Sequence, residues 1–176
     1  MTAPVLWRWP ELCAACELPS VPGPDVTGVS IDTRTLQTGD LFIALAGDPG
    51  PRFHSSGKGG ADGHGFISRA IEAGAAGLMV SKSVAAHVPC LGVTDTLDGL
   101  WTLGQAARKR TGARIAAVTG SSGKTTARQW LQQLLTAERL THASTGSLNN
   151  HWGVPLSLAR MPPETAYGVF EVGTNN

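Results

Sequence analysis

Apolar positions along the chain recur at two spacings, and these mark its elements. Runs that are continuously apolar or alternate every second residue predict strands: Val26 to Ile31, Leu41 to Leu45, Leu78 to Val80, Cys90 to Val93, Ile115 to Val118 and Tyr167 to Gly173, with a weaker one over Leu140 to Ala143. In the first of these Val29 and Ile31 share a face. The run from Ile115 to Val118 has the character of a strand buried on both faces. Helical spacing returns elsewhere. A helix enters at Pro10, and a second runs through Ala73, with Phe66, Ala70, Ile71 and Ala73 facing the core and Gly74 as its stop. A third is capped by Thr94 or Asp95, carries Leu97, Leu100, Leu103 and Ala107, and closes on Arg108-Lys109-Arg110. A fourth has Trp130, Leu131, Leu134 and Leu135 as its apolar face, and a short one starts at Gly153-Val154-Pro155-Leu156. Strands alternating with helices predict an α/β protein. A turn near residue 111 divides it into a small mixed α/β domain, 1–111, and the start of a parallel-sheet P-loop domain, 112–176.

The interruptions are informative too. Gly47 to Asp62 is rich in Gly, Pro and Ser and predicts a long surface loop, read as a neutral insertion in preference to a lid. Cys13 and Cys16 are spaced as C-x-x-C, but no second pair completes a zinc site, and they read as small buried hydrophobes. The chain is 41% apolar and 15% charged with a net charge of +1, a globular balance without a nucleic-acid footprint. No apolar run is long enough for a bilayer span, and the N-terminus lacks the regions of a signal peptide, so a cytoplasmic location is expected.

Candidate chemistry gathers after the Ile115 strand. Gly120-Ser121-Ser122-Gly123 allows a tight turn in which backbone N–H groups approach an anion. Lys124-Thr125-Thr126 then opens a helix with its positive end at the same spot. The strict P-loop spelling needs glycine where this chain has Val118, so the match is to the shorter Thr-Gly-x-x-Gly-Lys-Thr-Thr form. The bland alternative is a glycine-rich turn with an incidental lysine. Glu171 is a lone carboxylate near the carboxyl end of an apolar strand, where parallel sheets bind ligands. It needs a partner, either a Mg²⁺ ion beside bound phosphates or a structural ion pair.

Taken together, these segments resemble the Mur ligases, the ATP-dependent amide-forming enzymes of peptidoglycan assembly. Ala117 to Thr126 matches their ATP loop. Ser30-Ile31-Asp32-Thr33-Arg34, Gly39 to Leu45 and Asp62-Gly63-His64-Gly65-Phe66 are similar to the N-terminal domain shared by the members that add the third and the last peptide units. Leu148 to Leu156 and Glu171-Val172-Gly173 are similar to the member that adds the last unit. Gly47 to Asp62 is longer than the family pattern, and Ser147 stands where the family usually has asparagine.

The resemblance implies a ligase that joins D-alanyl-D-alanine to UDP-N-acetylmuramoyl-tripeptide through an acyl phosphate, using ATP and Mg²⁺ and acting as a monomer. It implies Lys124 on the β- and γ-phosphates, Thr125 and Glu171 on magnesium, amides from Gly120 to Thr126 around the phosphates and Asn150 near the nucleotide. Ser30, Asp32, Thr33, Arg34 and His64 would lie near the UDP-sugar. Family members continue beyond the last strand seen here, so the chain is expected to be an N-terminal fragment that is inactive alone. The rival readings are the ligase for the third residue, a generic P-loop kinase or ATPase, and a nucleotide-binding module without turnover.

Overall fold

A computed structural model describes residues 3–47, 60–146 and 148–173. Most of the long loop expected from Gly47 to Asp62, Ser147 and the last three residues lie outside the described residues. The elements are α1 (Trp9–Ala15), β1 (Gly28–Ser30), β2 (Asp40–Ile43), a 3-10 turn (Gly63–Phe66), α2 (Ile67–Glu72), β3 (Gly77–Val80), β4 (Cys90–Gly92), α3 (Thr96–Lys109), β5 (Arg114–Val118), α4 (Lys124–Thr136), β6 (Thr141–Ala143), α5 (Gly153–Ala159) and β7 (Tyr167–Glu171). Contacts gather into two compact units, Met1–Leu103 and Gly104–Asn176. No helix among the described residues is long and apolar enough to cross a membrane.

The first unit is a parallel sheet in the order β1-β2-β3-β4. β2 and β3 are buried at every position, because helices cover both faces. On one face Phe42, Leu78 and Val80 pack with Ile67 and Ala70 of α2. On the other face Trp9 lies over Gly77, where a Cβ would overlap the indole ring, and Met79 touches α3 at Gly99. Local signals place the helix ends. Pro10 sits in the first turn of α1. Gly74 ends α2 at φ +93°, a conformation that favours glycine. Asp95 Oδ1 accepts the amides of Leu97 (2.7 Å) and Asp98 (2.9 Å), which settles the choice between Thr94 and Asp95 as the cap of α3.

Two core assignments in this unit are corrected. Phe66 is 41% exposed, and its neighbour Ile67 enters the core instead, because the 3-10 turn changes the angular step just before α2 begins. β1 stops at Ser30, and Ile31 leaves the face it was expected to share with Val29 when the chain bends into the Asp32 turn. The cysteines behave as small hydrophobes: Cys13 is buried, and burial with the neighbouring Cys13 pushes the Cys16 thiol up to about 11. A thiol held that high is protonated and poorly nucleophilic at neutral pH.

The second unit is a three-stranded parallel sheet in the order β5-β7-β6. β7 is central and buried apart from Tyr167, and Phe170 packs with Ala113 and Met161. The expected two-sided burial of Ile115 to Val118 does not hold. β5 pairs only with β7 among the described residues, and Ile115 is 37% exposed. The apolar face of α4 is likewise open, with Trp130 at 66% and Leu134 at 70% exposure. Helical spacing identifies a face correctly but cannot say whether another element covers it.

Candidate nucleotide site and strand-end cluster

β5 delivers the chain into the glycine loop at the carboxyl edge of the second sheet. Gly120 and Gly123 adopt φ +139° and +74°, both in the region that favours glycine. A Cβ at Gly123 would meet nothing within 4 Å, so backbone conformation rather than packing demands glycine there. Gly123 is also the N-cap of α4, whose first intrahelical bond runs from Ala127 N to Gly123 O. The amides of Lys124, Thr125 and Thr126 precede that bond, and no acidic side chain occupies the first turn, so the helix end is electropositive. Ser121 and Ser122 are exposed on the loop, and Lys124 Nζ donates to Gly120 O at 2.6 Å.

Register places the carboxylate. Val118, the last residue of β5, pairs with Glu171 at the end of β7. Glu171 is 2% exposed, yet both its oxygens have donors: Thr125 Oγ1 donates to Oε2 at 2.9 Å and Asn149 Nδ2 to Oε1 at 2.8 Å. Its amide donates to Ser144 Oγ at 3.1 Å. Because the Thr125 proton goes to Glu171, the hydroxyl turns only lone pairs outward. One hydroxyl and one carboxylate are hard oxygen donors, the set that suits Mg²⁺ completed by phosphate oxygens and water. Among the described residues no group of three or more His, Cys, Asp and Glu could hold an ion by itself.

Asn150, singled out in the sequence, turns away from Glu171, and its Oδ1 accepts the Gly153 amide at 2.8 Å at the start of α5. The residue that reaches the carboxylate is its neighbour Asn149. Asn149 and Ser144 went unrecognised as site residues; the consecutive asparagines were the only trace in the sequence.

In the first unit the other predicted residues lie at the carboxyl ends of parallel strands. After β1, Ser30 Oγ donates to Asp32 O at 3.0 Å, and Arg34 grips both Asp32 oxygens, with Nη2 at 2.6 Å. Thr33 is half-buried in the same turn. His64 is tied at both ring nitrogens: Nδ1 lies 2.7 Å from Asp62 Oδ1, and Nε2 accepts the Ser81 amide at 3.0 Å. That fixes the Nδ1–H tautomer. Gly63 N donates to Leu45 O, so the 62–66 turn is stitched to the ends of both β2 and β3. Lys82 pairs with the other Asp62 oxygen. Ser81 and Lys82 carry no signal of this role in the sequence, because their positions follow only from the β3 register.

The charge-assisted bond from Lys82, then the amide and ring of His64, hold the Asp62 carboxyl well below the usual carboxylate range. Arg34 holds Asp32 below it in the same way. A lowered folded pKa contributes stability that is present above the unfolded value of about 3.9 and is lost as pH falls through the folded value. Urea midpoints should therefore drop as pH is lowered below about 4, and Asp62→Asn should flatten that slope at a neutral-pH cost of about 0.2–1 kcal/mol, since the pair is exposed. An unchanged acid slope in Asp62→Asn would remove this assignment.

A parallel sheet, a glycine loop running into a helix and an acidic residue ending the adjacent strand define a phosphate-loop α/β domain. Residues 118–176 match the Mur ligase middle domain, and the chain belongs to the Mur ligase family. Within the family it is 38% identical over 152 residues to the UDP-N-acetylmuramoyl-tripeptide–D-alanyl-D-alanine ligase of Bacillus subtilis (strain 168), a match covering 84% of this chain and 31% of the relative. The structure of the UDP-N-acetylmuramoylalanyl-D-glutamyl-2,6-diaminopimelate–D-alanyl-D-alanyl ligase from Acinetobacter baumannii superposes with a TM-score of 0.79 at 31% identity, covering 100% of this chain and 38% of that one. The MurF ligase from Thermotoga maritima in complex with ADP gives 0.60 at 28% identity, covering 85% of this chain and 32% of that one. The chain thus spans about a third of the length of the relatives it matches.

Proposed function

We propose that this chain provides the substrate and nucleotide ends of a ligase that joins D-alanyl-D-alanine to UDP-N-acetylmuramoyl-tripeptide with ATP, in the cytoplasm and as a monomer. Residues 1–111 form the UDP-sugar-peptide domain, and residues 112–176 begin the ATP-binding domain. The observation that carries this reading is the buried Glu171 hydrogen-bonded to Thr125 beside the glycine loop. The relatives' names and the ADP held by the Thermotoga maritima enzyme support it.

In this reaction the tripeptide's terminal carboxylate takes the γ-phosphoryl group, ADP leaves, and the dipeptide amine displaces phosphate from the acyl carbon with loss of a proton. The protein's share is positioning and charge neutralisation. Amides from Gly120 to Thr126 cradle phosphate oxygens. Lys124 exchanges its Gly120 carbonyl for the β- and γ-phosphates. Thr125 and Glu171 hold Mg²⁺, which when bound neutralises charge on the transferring group. Asn150 stays close to the nucleotide by fixing the start of α5. Ser30, Asp32, Thr33, Arg34 and His64 shape the UDP-sugar edge, with His64 acting through the turn it anchors.

The test is turnover by the full-length ligase. Product from UDP-sugar tripeptide, ATP and D-alanyl-D-alanine is expected. Product only from UDP-sugar dipeptide with free diaminopimelate or lysine would overturn the assignment in favour of the third-residue ligase.

A further inference from the structure

Two adjacent asparagines divide their work, and the division points to a role for the first. Asn150 faces its own helix, accepting the Gly153 amide. Asn149 faces the end of β7 twice: its side chain donates to Glu171 Oε1 at 2.8 Å, and its carbonyl accepts the Gly173 amide at 2.7 Å. From the geometry we propose that Asn149 is a positioning residue, which clamps the Glu171 carboxylate so that this oxygen pair and the Thr125 hydroxyl present a preformed half-shell to a divalent cation. The proposal rests on the nucleotide reading above.

A carboxylate held by Thr125 alone can still turn about its last bond, carrying Oε2 off the hydroxyl. A second donor on the opposite oxygen fixes the plane. Each oxygen then keeps a lone pair for a cation or its water ligands. The Thr125 proton stays committed to Oε2, which leaves the lone pairs of Thr125 Oγ1 facing outward. The backbone is held as well, since Ser144 Oγ accepts the Glu171 amide and Asn149 O accepts that of Gly173. Both Asn149 groups bond to the end of β7 and not to the glycine loop, so phosphate binding and cation binding should separate. Residues that orient metal ligands typically change metal affinity by about 10–100-fold when removed.

The experiment uses the 176-residue chain with ADP and Mn²⁺ as the probe cation. ADP affinity is measured in EDTA by calorimetry, and Mn²⁺ half-saturation in the presence of ADP by water-proton relaxation. Asn149→Ala and Asn149→Leu, the second keeping the volume without the donor, should raise the half-saturating Mn²⁺ about tenfold or more. Their ADP affinity in EDTA should stay within about twofold of wild type, as for independent contacts. Unchanged Mn²⁺ half-saturation, a parallel loss of ADP affinity in EDTA, or loss of folding in both variants by circular dichroism would each show that Asn149 is merely structural and overturn the proposal. If the wild-type chain binds ADP with no Mn²⁺ dependence, the cation reading falls together with the proposal. If it fails to bind ADP at all, the nucleotide reading falls first.

Discussion

Lys124→Ala is expected to lower the rate of acyl-phosphate formation in the full-length ligase on the order of 10²- to 10³-fold, the usual cost of removing one charge-stabilising donor from a transferring group. The lysine lies at the first position of α4 and reaches back over the loop to Gly120 O. Alanine keeps helix propensity, so α4 should persist and the amides should still contact phosphate. The deficit should therefore appear mainly in kcat, with a smaller change in ADP affinity. UDP-sugar affinity should stay within about twofold, since Ser30 to Arg34 and His64 belong to the other compact unit and share no partner with Lys124. Calorimetry with the UDP-sugar tripeptide and single-turnover kinetics with ATP would check both parts. An equal loss of UDP-sugar affinity would sink the proposed division between domains 1–111 and 112–176.

The largest expected loss of stability follows from Trp9→Ala. Trp9 is fully buried, and its ring fills the space left by two glycines, Gly23 and Gly77, where any Cβ would overlap it. Gly77 cannot move inward to fill the hole, because it is tied into the sheet opposite Leu41. Truncation should therefore leave an uncollapsed cavity and cost about 3–5 kcal/mol. Trp9→Phe should cost clearly less. The indole Nε1 is buried without a hydrogen-bond partner among the described residues, so removing it relieves a penalty that partly offsets the lost area. Urea denaturation of the two variants, followed by circular dichroism, reads the difference. A Trp9→Ala midpoint close to wild type would mean that Trp9 does not anchor a core on the α1 face of the sheet.

Much of this architecture is set by neighbours in sequence. A helix end needs only a capping side chain or a residue tolerant of positive φ, and so Pro10, Gly74 and Gly123 could be read directly and the cap of α3 narrowed to Thr94 or Asp95. The glycine loop was legible for the same reason, since Gly120 to Thr126 carries its own geometry wherever the chain goes next. β2 and β3 were legible as unbroken apolar runs.

The remainder depended on which segments meet. Phe66 and Ile67 are equally apolar, and only the 3-10 turn before α2 decided which one entered the core. The apolar stripe on α4 and the run in β5 were correctly seen as apolar, but their exposure depends on what packs beside them, a property that spacing does not contain. The site divides along the same line. Lys124 is a candidate on the loop's own pattern, whereas the Thr125–Glu171 contact spans 46 residues of chain and the Asn149–Glu171 contact spans 22. The sequence alone marked the glycine loop and Lys124 as the candidate phosphate groups. The order β5-β7-β6 decided that Glu171 would end beside the loop and that Asn149, not Asn150, would hold it, because a side chain selects its partner from whatever the sheet register brings within hydrogen-bond reach.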